Sequence, residues 1–153
     1  MRPLTDAELE KLKAGFHVWI TLPIQWGDQD AFQHVNNTVY IRWFESARIA
    51  YGDRAGLELQ VADRKIGPIL AAISCNYRRQ LTFPDTVHIG ARVTRIGNSS
   101  LKMEHRVISE ALGAVAAEGD STLVAFDYTG QTPVPVPDIV RAAIAQIEGQ
   151  AVG

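Results

Sequence analysis

The chain of 153 residues is short of several things, and each shortage removes a class of protein. It has one cysteine, Cys75, so no internal disulfide framework can hold it together. It has no basic excess. Fifteen Lys and Arg stand against seventeen Asp and Glu, for a formal net charge of -2, and nucleic acid as the main partner is not expected. No apolar run is long enough to cross a membrane without charges. The first residues, MRPLTDAELEKLKAG, lack the apolar stretch of a secretory signal. G-x-S-x-G, phosphate-loop and dinucleotide fingerprints are missing. The four histidines, His17, His34, His88 and His105, lie too far apart for a metal-ligand motif, and no metal is expected. A soluble protein of a reducing cytoplasm is the simplest expectation.

What remains is enough for one domain with a core of its own. Residues 1–15 read as an N-terminal arm or short helix, with Thr5 and Glu8 spaced as a capping box. Residues 16–153 read as a single domain. In FHVWITLPIQW, Phe16, Val18, Ile20, Leu22, Ile24 and Trp26 alternate with polar neighbours, as in a strand with one buried face, and Pro23 suggests an edge. Val39, Tyr40, Trp43, Phe44, Ala47, Ala50 and Tyr51 recur at helical spacing, with Gly56 as a stop. A loop over 58–65 leads to strands. The set Ile69, Ala71, Ile73, Cys75 and Tyr77 alternates with Leu70, Ala72, Ser74 and Asn76. Further strands follow in DTVHIGARVTRIG, SLKMEHRVIS and AVAAEGDSTLVAFDY, with turns at Gly97-Asn98-Ser99 and Leu112-Gly113 and a bulge expected at Gly119. Ile139–Ile147 reads as a short C-terminal helix capped by Asp138. The fold class is α+β, with a curled antiparallel sheet of five strands wrapped around one long helix.

The chemistry concentrates at QWGDQDAFQHVNN, residues 25–37. Asp28 reads as a turn residue. Six residues lie between Asp30 and Asn37, near the helix start. A helix N-terminus presents unpaired N–H donors and the positive end of a dipole. A carboxylate facing such donors is half of a hydrolytic site, because the donors hold an oxyanion while the carboxylate activates water or attacks. Asn36 and Asn37 are both suited to cap, and capping needs one of them. His34 reads as a core or capping histidine, or as a residue that orients a neighbour or a water. Cys75 reads as a packing residue. The arginines and lysines around the strand ends read as a solvated surface that a phosphate-bearing ligand would also suit.

The segment D-x-D-A-x-x-H-V-N-N leading into Y-x-x-W-F-E-x-A-R resembles the hotdog-fold acyl-CoA thioesterases of the 4-hydroxybenzoyl-CoA thioesterase type. N-Y-R-R-Q-L-x-F-P-D, R-I-G-N-S-S-L and V-P-V-P-D follow in the family's order, so the likeness covers roughly residues 16–145. The resemblance implies hydrolysis of an acyl- or aroyl-CoA, with no cofactor and no metal. Asp30 would be base or nucleophile, the backbone N–H of Asn37 would polarise the thioester carbonyl, and His34 would support them. It also implies a homo-oligomer, a dimer or a dimer of dimers, with sites at subunit interfaces. Arg79, Arg95, Asn98, Ser99, Ser100 and Lys102 would meet CoA phosphates, and some of Tyr40, Trp43 and Phe44 would line an acyl tunnel. Gln33 stands where many members carry glycine, and Gln80 where proline is usual. Two other functions of the same fold bear weighing. One is a module that binds acyl-CoA or acyl-carrier protein without turnover, in which the Asp30 carboxylate would be idle. The other is a dehydratase or hydratase, which commonly needs a histidine on the central helix; none lies between residues 35 and 56.

Overall fold

The computed structural model describes residues 2–55 and 65–152. Gly56 and the loop expected over 58–65, except its last residue, lie outside the described residues. In chain order the elements are α1 (Asp6–Leu12), β1 (Val18–Pro23), a 3-10 turn (Trp26–Asp28), α2 (Asn37–Arg54), β2 (Ile66–Tyr77), β3 (Thr86–Ile96), β4 (Ser100–Ser109), β5 (Ala114–Asp127), β6 (Thr132–Pro133) and α3 (Asp138–Glu148). The strands pair antiparallel in the order β1-β3-β4-β5-β2, and the two-residue β6 adds to β5. The long helix lies on the concave face of this sheet, as expected for an α+β hotdog fold.

The aromatic stripe of α2 forms the core. Tyr40, Trp43, Phe44, Ala47 and Tyr51 are all buried against strand residues such as Ile89, Ala91, Met103 and Val107. Phe44 presses closest. A Cβ on Gly119 would stand 2.7 Å from its ring and 2.1 Å from the carbonyl of Ser74. Gly119 is therefore not the expected bulge. It pairs in register with both Cys75 and His105, and it is a glycine because the helix and the next strand leave no room for a side chain.

The register shifts sit instead in β2, between Leu70 and Ala72, in β3, between Val93 and Arg95, and in β5, at Ala116 between Val115 and Ala117. The shift in β2 matters most for the helix-facing side. One extra residue reverses which side chains face the helix. Leu70 stands opposite Leu123 and Pro68 opposite Ala125, while Ile69 stands opposite Val124. The expected single alternation from Ile69 to Tyr77 is thus two half-strands of opposite phase. Trp26 is also displaced. The strand ends at Pro23, and Trp26, within the 3-10 turn, is 70% exposed.

The convex face is charged. Arg92 pairs with Glu104, Arg106 with Glu118 and Lys102 with Asp120, across neighbouring strands. Over it lies the N-terminal arm. Thr5 and Glu8 form the capping box of α1, and Arg106 donates to the carbonyls of Leu12 and Ala14. Phe16 is held between the Arg92 and Arg106 guanidinium groups, 4.4 and 4.8 Å from its ring centre. At the other end of the chain α3 starts one residue earlier than expected. Pro137 occupies the N-cap with φ -59°, and Asp138 is the first helical residue. Val140 and Ile144 bury its inner face, and Glu148 accepts hydrogen bonds from the Tyr51 hydroxyl (2.6 Å) and the Val93 N–H (3.1 Å).

Candidate active site

The polar loop before α2 closes on itself. Asp28 accepts the Gln25 N–H at 2.8 Å through its side chain and the Asn36 N–H at 3.0 Å through its carbonyl. Gln29 bridges Val35, and Asp30 N–H donates to the His34 carbonyl at 3.0 Å. The chain thus leaves and returns through a short antiparallel pairing, which sets Asp28 opposite Asn36 at the helix start and Asp30 opposite His34 in the same loop. At the loop's tip Gln33 adopts φ +62°. That is the left-handed region where a glycine is unstrained, and it explains in backbone terms why glycine suits this position.

Asp30 is exposed at this loop. Its Oδ1 accepts the Phe32 N–H at 2.9 Å, and the rest of the carboxylate is open to solvent. His34 contributes its backbone carbonyl to the loop, while its imidazole bonds no described residue. Asn36 is the cap. Its Oδ1 accepts from the Thr38 N–H at 2.9 Å and from the Thr38 hydroxyl at 2.7 Å. Asn37 is the first helical residue. Val39 N–H donates to the Asn36 carbonyl at 3.0 Å. Of the first three N–H groups of α2, only that of Asn37 finds no acceptor among the described residues. It stands at the positive end of an 18-residue helix. An open donor at the helix head and an open carboxylate in the loop that leads into it are the two groups a carbonyl hydrolase uses.

A further contact at this point was not legible in the sequence. The Tyr77 hydroxyl, from the end of β2, donates to the Asn37 carbonyl at 3.2 Å. Its ring meets that of Tyr40 edge-on at 5.0 Å between centres. The nearby loop holds Leu81, whose carbonyl accepts the Val35 N–H at 2.8 Å, and Phe83, whose N–H donates to the Gln29 side chain at 3.0 Å. Trp26 and Phe83 pack edge-to-face at 5.6 Å. Together with Phe32, which is 84% exposed, they leave an apolar rim around Asp30.

The residues expected to meet phosphates do not gather at this site within one chain. Arg79 follows Tyr77 closely, and its side chain is exposed without a partner among the described residues. Arg95, Asn98, Ser99, Ser100 and Lys102 stand at the β3–β4 turn, beyond the other end of β5. Arg79 N–H bonds Ala116, whereas Ser99 accepts from Ala125. Nine residues of strand put these two points on the order of 30 Å apart. Arg141 braces the turn by donating to the Gly97 and Asn98 carbonyls. Lys102 lies 3.6 Å from Asp120, while Arg95 is exposed and unpaired among the described residues.

Tyr40, Trp43 and Phe44 are core residues in the single chain, not the walls of an open tunnel. Phe44 stacks on His105 at 4.6 Å. An open cavity of about 720 Å³ lies instead along the C-terminal half of α2, walled by Leu70, Met103, Leu123, Ala125 and Val140, with Arg48 at its side. Arg48 donates to Ser121 Oγ at 3.0 Å, and Ser121 bonds His105 Nε2 at 2.8 Å. Since the Gly90 carbonyl can only accept from Nδ1, His105 is the neutral Nδ1-H tautomer. Burial and then the Arg48 charge push its pKa down to about 4. Cys75 is half-buried on the helix-facing side, its thiol pKa raised by burial. No cluster of three or more His, Cys, Asp or Glu side chains suited to a metal occurs among the described residues. No described helix is long and apolar enough to cross a membrane.

This fold and this site define a class. Residues 24–144 match the model of the thioesterase-like superfamily, and the chain belongs to that family of thioester-hydrolysing enzymes. Among its relatives is the long-chain acyl-CoA thioesterase FadM of Escherichia coli, 25% identical over 118 residues, which are 77% of this chain and 89% of FadM. Protein THEM6 of Danio rerio is 30% identical over 90 residues; the match takes in 59% of this chain and spans 45% of THEM6. A thioesterase of Thermus thermophilus, solved with coenzyme A and zinc, superposes with a TM-score of 0.79 at 33% identity, covering 90% of this chain and 98% of that one.

Proposed function

We propose that the chain hydrolyses acyl- or aroyl-CoA thioesters to the free acid and CoA. The observation that carries this is the open Asn37 N–H at the head of α2, together with the open carboxylate of Asp30 in the loop that leads into it, a loop closed by backbone and side-chain hydrogen bonds. The thioester carbonyl oxygen binds at the Asn37 N–H, which gains strength as the oxygen becomes an oxyanion. By one route Asp30 takes a proton from water and the resulting hydroxide attacks the carbonyl carbon. By the other, Asp30 attacks and the mixed anhydride is hydrolysed. In both the C–S bond breaks and the CoA thiolate leaves, to be protonated by solvent. His34 supports Asp30 through its backbone carbonyl. The relationship to FadM and to the CoA-bound Thermus enzyme supports CoA as the thiol. No cofactor beyond the substrate is required.

The active form is a homodimer or a pair of dimers. β2 is a 12-residue strand whose outer edge is unpaired among the described residues, and Ile69, Leu70 and Tyr77 on it are 41%, 42% and 48% exposed. Such an edge is a template for pairing with a second copy. Two copies of β2 joined antiparallel about a two-fold axis set the Tyr77 end of one against the Ile66 end of the other. Each Asp30–Asn37 site then faces the cavity beside Leu70 of the second copy, where an acyl group has room. The same pairing brings the β3–β4 turn of the second copy, with Arg95, Asn98, Ser99, Ser100 and Lys102, toward a site that Arg79 reaches from its own chain.

The test is thiol release from a panel of short, long and aromatic acyl-CoAs. Asp30→Asn keeps the acceptor for the Phe32 N–H, so it folds, and its kcat is expected to fall at least ~100-fold. A folded Asp30→Asn with wild-type rates overturns the role of Asp30. Tight binding of intact acyl-CoA with no thiol released by the wild type makes the chain a binding module instead. In a single turnover in 18O-water, a product free of 18O shows nucleophilic attack with water adding at the Asp30 carboxyl carbon; a labelled product fits the base route or water adding at the acyl carbon of the anhydride, and trapping of an acyl-Asp30 anhydride with hydroxylamine separates those two.

A further inference from the structure

The backbone around the Asn37 N–H is fastened group by group. Asn36 N–H is held by the Asp28 carbonyl at 3.0 Å, and the Asn36 carbonyl by the Val39 N–H at 3.0 Å. The next peptide unit is held at both ends. Its N–H, that of Thr38, donates to Asn36 Oδ1 at 2.9 Å, and its carbonyl, that of Asn37, accepts the Tyr77 hydroxyl at 3.2 Å. Three of these four ties come from the loop and the helix themselves. Tyr77 supplies the one side-chain tie from the sheet, and it does so from the end of the edge strand. Its ring is fixed in turn, edge-on to Tyr40 on the buried face of the same helix. Burial first, and then the Cys75 sulfur, raise the Tyr77 pKa, so the hydroxyl keeps its proton at neutral pH and remains a donor.

We infer that Tyr77 is a positioning residue for the oxyanion donor, its hydroxyl locking the first turn of α2 in the orientation that aims the Asn37 N–H at the substrate carbonyl. The role rests on the thioesterase reading above. Tyr77 touches neither water nor thioester in this scheme and acts only through the peptide it holds. A donor that is free to fray must be ordered again in every transition state, and that cost appears in the chemical step and not in ground-state binding.

Tyr77→Phe keeps the ring pair with Tyr40 and removes the hydroxyl alone. With the acyl-CoA that the wild type hydrolyses best, its kcat is expected to fall about 10-fold, less than the roughly 100-fold or more for loss of a donor itself, with KM within about two-fold. Amide exchange of Thr38–Ile41 should quicken in the variant while the thermal midpoint and the exchange of the middle of α2 stay as in the wild type. An unchanged kcat overturns the proposal, as does a raised KM at unchanged kcat, which would make Tyr77 a substrate contact. A fall in kcat matched by a general loss of stability assigns Tyr77 to structure alone and also overturns it. If the wild type releases no thiol from any acyl-CoA, the thioesterase reading fails and this role fails with it; release by the wild type with an indifferent Tyr77→Phe defeats the role alone.

Discussion

At the scale of single residues, the loop before α2 sets a helix cap next to the groups proposed for hydrolysis, Asn36 capping and the Asn37 N–H left open. Asn36 takes up the Thr38 N–H through its side chain and the Val39 N–H through its carbonyl, and leaves the Asn37 N–H without an acceptor among the described residues. Gln33 marks where this chain departs from the glycine common at its position. A non-glycine residue at φ +62° bears roughly 1 kcal/mol of backbone strain, while glycine would cost part of that again in unfolded-state freedom. Gln33→Gly is therefore expected to raise stability by 0 to about 1 kcal/mol in urea denaturation. A loss of stability instead would mean that the Gln33 side chain holds the loop through a contact of its own. The helix start at Asn36–Asn37 was legible because turn and cap chemistry are local, though the choice of Asn36 as the cap was left to the structure. Tyr77 was not, since forty residues separate it from Asn37 and only the curl of the sheet closes that distance.

At the scale of elements, α2 and the sheet are joined by a polar chain inside an apolar core. Arg48 on the helix, Ser121 on β5 and His105 on β4 are linked in sequence and end on the Gly90 carbonyl of β3. His105 is neutral here because its protonated form would lose both water and its acceptor role toward Ser121. Its folded pKa of about 4 lies below the value near 6.5 of an unfolded histidine, so between these values the unfolded chain binds the extra proton. Stability is then complete above about pH 6.5, declines as the pH falls through the window, and levels off below about 4, with a total loss of roughly 3 kcal/mol. Urea titrations at pH 7 and pH 4.5 should show that decline in the wild type and a shallower one in His105→Gln. Equal declines would remove His105 as their cause. The alternation of β3 was readable from sequence as far as Val93, but the shifts at Thr94 in β3, at Ala116 in β5 and in the middle of β2 were not. A one-residue bulge leaves no mark in composition, and it hands Leu70 rather than Ile69 to the cavity.

At the scale of the whole molecule, the single chain is an incomplete container. Its cavity opens beside the β2 edge, its Asp30 loop is rimmed by exposed Trp26, Phe32 and Phe83, and its basic turn lies at the far end of the sheet from Asp30. In the proposed dimer a second copy would complete all three. Sedimentation of the wild type is expected to give twice or four times the monomer mass. Ala72→Lys sets like charges near the proposed two-fold axis and should shift the population to monomer with loss of thiol release. A wild type that sediments as an active monomer would refute the assembly.

The sequence by itself determined the elements, the helix that becomes the core, and the helix start with Asp30 in the loop before it. These follow from periodicity and from side chains that bond their own backbone neighbours. Only the tertiary structure decided that Phe44 and its stripe fill the core instead of lining a tunnel, that Gly119 yields room for Phe44, that Arg79 and the β3–β4 turn stand apart, and that Tyr77 reaches Asn37. Those are matters of curvature and register between strands far apart in the chain, where the free energy is set by how closely two surfaces meet and no local pattern records the distance.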